Sequence, residues 1–288
     1  MNNISIWNNL SWVENIRSPF LSVFFENISL AGYPTFLILF ISFGYFYWSP
    51  SRFSRVAMLL FISGLINAFL KDFFQDPRPA IELMLDPKVG TSYGWPSGHA
   101  QIAVTLWGLL AYELKEKWIS VGSISLIILI AFSRMYLGVH DLGDVISGLI
   151  IGIIILYIWH LAVINKTYDS LSNRGWLLVI LLFQLTLYLL YPIHDGHEPS
   201  IWFLGVMTGW FLGASDIQLN AGKIQKFCVS TLSIVIVFFA MASIAKFESN
   251  LEVIGLLGAI YSYALGLIFS ILITWILPRL WKLLKLAT

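Results

Sequence analysis

A chain of 288 residues that is 58% hydrophobic and only 11% charged, with a mean hydropathy of +0.80, is too apolar for a water-soluble globule and reads as an integral membrane protein. Its formal net charge of +1 argues against a broad basic surface for nucleic acid, so any work done by cations must come from local clusters. The single cysteine, Cys228, lies in an apolar run; it leaves no internal disulfide and reads as a small buried hydrophobe.

The N-terminus lacks a compact basic region followed by an uninterrupted apolar core, so no cleavable signal peptide is expected. Over residues 4 to 30, Ile4, Ile6, Trp7, Leu10, Trp12, Val13 and Ile16 alternate with asparagines and acids. Such a broken amphipathic pattern with tryptophans predicts an interfacial helix. Nine apolar segments follow, at about 31–48, 56–74, 99–114, 118–133, 145–164, 176–191, 201–214, 227–245 and 253–277. The expected fold is therefore all-α, a polytopic membrane bundle of about nine helices, with a catalytic core over 1–165 and further scaffold or groove helices over 166–288. Gly148 and Gly152, and Gly205, Gly209 and Gly213, repeat at four-residue spacing and predict close helix packing.

Short cytoplasmic loops collect lysine and arginine. With the N-terminus outside and nine spans, one side receives Arg52, Arg55, Lys115, Lys117, Lys166, Arg174, Lys223, Lys226, Arg279, Lys282 and Lys285. The opposite side holds only Arg17, Lys88 and Lys246 besides Lys71, Arg78 and Arg134. The C-terminus is then cytoplasmic, and three polar islands from separate parts of the chain share the non-cytoplasmic face, periplasmic or extracellular in a bacterium. They are Lys71 to Pro79, Pro96 to His99, and Ser133 to Asp144.

The islands contain what phosphoryl transfer needs: cations for the equatorial oxygens, a nucleophile, and an acid for the leaving oxygen. Pro77 and Pro79 stop the helix after Lys71 and can turn Arg78 back toward it. Arg134 follows the fourth segment, and three cations at a membrane boundary call for a shared anion. Ser97 is placed to cap a helix, Gly98 leaves room for close backbone approach, and His99 sits in the first turn beside the anion. His140 and Asp144, four residues apart, share a face if the fifth segment is helical from its start. On this reading His140 attacks phosphorus, Asp144 orients it, and His99 protonates the leaving oxygen and then activates water. Lys71, Arg78 and Arg134 neutralise charge, so no metal or other cofactor is required.

The ordered pattern K-x6-R-P, P-S-G-H, S-R-x5-H-x3-D resembles the signature of the type 2 phosphatidic acid phosphatase family over roughly residues 20–165. The resemblance implies a six-helix core, metal-independent hydrolysis through a phosphohistidine, and lipid phosphates or diphosphates as substrates. Its roles fall on Lys71, Arg78, Ser97, Gly98, His99, Arg134, His140 and Asp144. Five apolar segments lie in that core, which leaves the N-terminal helix to stand in for the sixth. The nine-span layout is similar to the glucose-6-phosphatase and sphingosine-phosphate phosphatase branches. Two rivals remain: a lipid phosphotransferase using the same phosphoenzyme, and an anion transporter without hydrolysis. The partners expected are a lipid phosphate and membrane lipids.

The remaining polar residues read more plainly. His194, Asp195, His197 and Glu198 read first as a solvated turn, with metal binding or a substrate entrance as alternatives. Glu82, Asp86, Glu248 and Glu252 read as ordinary loop or helix-end acids. Asn67 and His160, inside apolar segments, are expected to bond between helices.

Overall fold

The computed structural model describes residues 9–166, 172–191, 199–215, 217–220, 222–248 and 255–287. The cluster at 194–198 and Glu252 therefore lie outside the described residues. The chain packs as two compact units, one of residues 1–36 and 62–168, the other of residues 37–61 and 169–288.

Chain order gives α1 (Trp12–Ile16), α2 (Pro19–Leu30), α3 (Pro34–Tyr47) and α4 (Pro50–Phe74). Proline opens α2, α3 and α4, where its missing N–H costs no helical bond. Next come α5 (Gly98–Ala103), a π turn (Val104–Gly108) and α6 (Leu109–Leu114), then α7 (Lys117–Tyr136) and α8 (Leu142–Ile164). The second half holds α9 (Asn173–Leu190), α10 (Pro199–Gly213), α11 (Lys223–Glu248) and α12 (Gly255–Ile271). A further π turn (Leu272–Ile276) leads from α12 into α13 (Leu277–Leu283). Among the described residues, each of the nine apolar segments is helical over most of its length.

By length and composition, six described helices can cross a membrane: α4, α7, α8, α9, α11 and the stretch Leu256–Leu283. A seventh results if α2 and α3, bent by 54°, count as one span. Nine is not confirmed among the described residues: Gly98–Leu114, π turn included, and Ile201–Gly213 both fall short of the roughly 20 residues that a span needs. The helix expected over residues 4–30 is instead broken at Arg17 and Ser18 into α1 and α2. Its second part packs on α7, with the Phe25 ring tilted against Tyr136 at 4.6 Å and against Phe132 at 5.2 Å between centroids.

In the first unit, α8 lies against α5 through glycine. A Cβ on Gly148 would come within 2.5 Å of the Ser97 carbonyl oxygen, and one on Gly152 within 2.8 Å of that of Gln101. Without a hydrophobic effect inside lipid, such close backbone packing is a main source of helix association. His160 and the Tyr112 hydroxyl meet at 3.2 Å, joining α8 to α6. The outer faces of α7 and α8 expose Ile124, Ile128, Ile153, Tyr157 and Ile158, a pattern suited to lipid rather than water.

In the second unit, α10 runs along α12. Gly205 and Gly209 face the carbonyls of Tyr263 and Leu267, where a Cβ would intrude to 2.0 and 2.4 Å. Gln184, Thr208 and Tyr263 hydrogen-bond one another between helices, the Tyr263 hydroxyl donating to Thr208 Oγ1 at 2.8 Å. Cys228, expected to be buried, is exposed on α11 because it falls outside that helix's packed face.

Candidate active site

The end of α4 holds the second polar island in place. Lys71 Nζ donates to the Gly94 carbonyl at 2.8 Å and also to that of Tyr93. One turn earlier, Asn67 Nδ2 donates to the Pro96 carbonyl at 3.2 Å and to Gln101 Oε1 at 3.0 Å. Gln101 Nε2 returns to Ser63 at 2.8 Å. One polar face of α4, from Ser63 to Lys71, thus grips the chain from Tyr93 to Gln101.

The helix start at Ser97 differs in detail from expectation. Ser97 occupies the N-cap position, yet its side chain caps nothing. Its Oγ is buried without a partner among the described residues, while its N–H donates to the Asp144 carbonyl at 3.0 Å. Gly98 makes room for Asn67, whose Oδ1 would lie 2.7 Å from an added Cβ.

The third island brings His140 and Asp144 together, though not on one helical face. His140 precedes α8; Asp141 is its N-cap and Asp144 its third residue. Asp141 Oδ1 accepts from the Asp144 N–H at 2.9 Å and Asp144 Oδ2 from the Asp141 N–H at 3.3 Å, a capping box that folds the carboxylate back. Asp144 Oδ2 then meets His140 Nδ1 at 3.0 Å. With Nδ1 donating to the carboxylate, Nε2 keeps its lone pair and lies 3.3 Å from Arg78 Nη1.

Arg78 is fixed by backbone: Nη1 donates to the Val139 carbonyl at 2.8 Å and Nε to that of Ser92 at 2.6 Å. Burial and the neighbouring Arg134 push its pKa down. Burial, then the charges of Lys71, Arg78, Arg134 and His99, hold His140 well below the usual histidine range. His140 is therefore a neutral base at physiological pH, within charge reach of all four residues.

Arg134 is fully buried. Its Nη1 donates to Asp86 Oδ2 at 3.0 Å and to the Ser29 hydroxyl, leaving Nε and Nη2 buried without partners among the described residues. His99 Nε2 is likewise buried and unpartnered, and its ring meets Tyr33 edge-on at 4.5 Å. The eight residues expected from the sequence thus lie in one unit around His140. Asp86 was expected to be an ordinary loop acid, but it is buried against Arg134. Ser29 and Tyr33, at the α2–α3 bend, carried no recognisable signal. Asp86 could have been suspected only as a carboxylate between the first two islands.

Residues 53–168 match the family model of the PAP2 superfamily. This chain carries a PAP2 superfamily domain. It is 30% identical over 227 residues to lipid phosphate phosphatase delta of Arabidopsis thaliana, covering 70% of this chain and 52% of that protein. It is 28% identical over 158 residues to phosphatidylglycerophosphatase B of Bacillus subtilis (strain 168), covering 50% of this chain and 75% of that one. The chain thus spans about half the length of the plant relative. A crystal structure titled as the first transmembrane PAP2 type phosphatidylglycerolphosphate phosphatase, from Bacillus subtilis, matches at 23% identity and a TM-score of 0.49. That match covers 57% of this chain and 84% of that one. The PAP2 domain contains Lys71, Arg78, Ser97, Gly98, His99, Arg134, His140 and Asp144, and also Asp86; it leaves out Ser29 and Tyr33.

Proposed function

We propose that this protein is an integral membrane phosphatase that hydrolyses a lipid phosphate or diphosphate through a phosphohistidine. The observation that carries this reading is that, of the buried polar atoms without a partner among the described residues, four belong to the residues grouped with His140: Ser97 Oγ, His99 Nε2, and Arg134 Nε and Nη2. Each unsatisfied buried polar group costs about 1–3 kcal/mol, so a fold that retains several around one nucleophile is built for a polar ligand. A phosphate supplies acceptor oxygens for the donors among them.

In the first step the lone pair of His140 Nε2 forms a bond to phosphorus as the bond from phosphorus to the lipid oxygen breaks. His99, held neutral by burial and its cationic neighbours until the anionic phosphate enters and brings or favours a proton on it, gives that proton to the lipid oxygen. Asp144 holds the Nδ1 proton and stabilises the positive ring that results. In the second step His99 takes a proton from water, whose oxygen attacks phosphorus; the P–N bond breaks and phosphate leaves. Lys71, Arg78 and Arg134 neutralise the equatorial oxygens throughout, a task that needs no metal on this reading.

Two observations support a lipid substrate. A groove of about 510 Å³ opens beside Asp144; Asp76, Asp141 and Ser147 line it on the polar side, and Phe74, Trp95, Ile146 and Ile150 give it an apolar wall against which the start of an acyl or prenyl chain can lie. The named relatives include a lipid phosphate phosphatase and a phosphatidylglycerophosphatase. Phosphatidic acid, phosphatidylglycerol phosphate, a polyprenyl diphosphate and a sphingoid-base phosphate all fit this chemistry. The distribution of lysine and arginine supports an active site on the non-cytoplasmic face. Residues 1–165 would carry the catalysis, and residues 166–288 would serve as scaffold or substrate groove.

The test is a panel of these lipids with purified protein in detergent, measuring free phosphate against phosphate transferred to an added hydroxyl acceptor. Free phosphate from at least one lipid, insensitive to chelator, is expected. Transfer without release would replace hydrolase by phosphotransferase, and loss of activity with EDTA would overturn the metal-free mechanism.

A further inference from the structure

Asp86 lies on the segment between the first two islands, which packs back on the third: Leu85 N–H donates to the Leu137 carbonyl at 2.8 Å. Its Oδ2 accepts from two side chains, the Tyr33 hydroxyl at 2.5 Å and Arg134 Nη1 at 3.0 Å. Oδ1 accepts from the Lys88 N–H at 3.3 Å. The carboxylate thereby accepts three hydrogen bonds, and it is buried together with a fully buried guanidinium.

The consequence lies in which edge of the guanidinium remains. Nη1 carries two N–H groups, and Asp86 and Ser29 accept from that nitrogen. The atoms left over, Nε and Nη2, form the side edge of the guanidinium, whose two parallel N–H bonds match two oxygens of one phosphate. Tyr33 extends the arrangement. Its hydroxyl is on Asp86, its ring lies 5.8 Å from the Arg134 guanidinium and edge-on to His99, and Gly32 beside it leaves space that a Cβ would take from the imidazole.

We infer that Asp86 and Tyr33 are a positioning pair: Asp86 aims the free edge of Arg134 at the substrate phosphate, and Tyr33 ties that setting to the orientation of His99. Neither touches the reacting atoms. The inference rests on the phosphate site proposed above and adds the residues that preorganise it, including one from outside the PAP2 domain. Preorganisation matters because a cation misplaced by about 1 Å can cost 100-fold in rate.

The experiment uses the full-length protein in detergent, with orthophosphate-induced thermal stabilisation and steady-state kinetics on the best lipid of the panel. Asp86→Asn keeps the size of the side chain and removes its charge; Tyr33→Phe keeps the ring against His99 and removes the bond to Asp86. Asp86→Asn is expected to lower kcat/KM and weaken orthophosphate binding by about 10- to 100-fold, and Tyr33→Phe by a smaller factor in the same direction. In an Arg134→Ala background, Asp86→Asn should cause little further loss of kcat/KM, because its effect runs through Arg134. Folded Asp86→Asn with wild-type kinetics and phosphate binding, or losses that multiply in full with those of Arg134→Ala, would overturn the inference while leaving the phosphate site standing. If Asp86→Asn does not fold, Tyr33→Phe with unchanged kcat/KM overturns it instead. Wild-type protein that binds no orthophosphate would bring down the phosphate site, and this inference with it.

Discussion

Asp144 Oδ2 lies 3.0 Å from His140 Nδ1 because a capping box at the start of α8 folds the carboxylate back over the turn that carries the histidine. A carboxylate in that place holds the proton on Nδ1 and leaves Nε2 as the base, facing Arg78 at 3.3 Å. The same residue also accepts the Ser97 N–H on its backbone carbonyl, so one aspartate joins the second and third islands.

Replacing Asp144 by Asn would keep the shape but allow the amide N–H to donate to Nδ1, turning the ring to the wrong tautomer. We expect kcat to fall by about 10³- to 10⁴-fold with KM changed much less, as when the orienting acid of a histidine is neutralised. Steady-state kinetics on Asp144→Asn check this; a loss confined to KM would mean that Asp144 serves binding rather than His140.

The depressed pKa of His140 has a consequence for stability. The unfolded ring binds its proton near pH 6.5 while the folded ring binds it only at lower pH. Between those values the unfolded state holds more protons, so the contribution of His140 to stability is present above pH 6.5 and is lost as pH falls toward the folded value. Thermal melts from pH 8 to pH 5 in detergent should show falling stability, with a shallower slope for His140→Ala. Equal slopes would mean that His140 is not held neutral by burial and its cationic neighbours.

Gly148→Val tests the packing that sets the depth of Ser97. Even the Cβ would press to within 2.5 Å of the Ser97 carbonyl, a backbone atom that cannot turn away. Separation of α5 from α8 should cost about 1–3 kcal/mol, together with most of the activity. A melting curve and an activity assay on Gly148→Val check this, whereas Gly122→Val, where an added Cβ meets nothing within 4 Å, should leave both near wild type.

Much of this was legible before any coordinates, because a membrane chain has few reasons to keep charge. Lys71, Arg78, Arg134, His140 and Asp144 stand out against apolar sequence, and their order and spacing suffice to group them. The all-helical membrane architecture was legible for the same reason, since backbone groups in lipid must satisfy one another, whereas the number of spans was not: six described helices, or seven with the bent α2–α3 pair, are long and apolar enough to cross. What escaped is what depends on packing between distant segments. Asp86 sits in a stretch with Glu82 and Lys88, where an acid is unremarked unless its partner is known. Tyr33 is one aromatic among many, and its contacts with Asp86 and His99 arise where α2 bends by 54° into α3. Gly98 drew attention for a ligand, whereas the atom nearest its missing side chain belongs to Asn67. The grouping of residues 37–61 with 169–288 leaves no trace in local sequence either, because it arises from helix packing.

The central claim is a covalent bond between phosphorus and His140 Nε2. It is tested most directly by mixing purified protein with a radiolabelled lipid phosphate, quenching in alkali on the millisecond scale, and locating protein-bound label by mass spectrometry. The account predicts an acid-labile, alkali-stable phosphohistidine at His140 that forms and decays fast enough to carry turnover, and that is absent from His140→Ala along with all activity. Turnover by His140→Ala, or label found on another residue in an active wild-type enzyme, would contradict it.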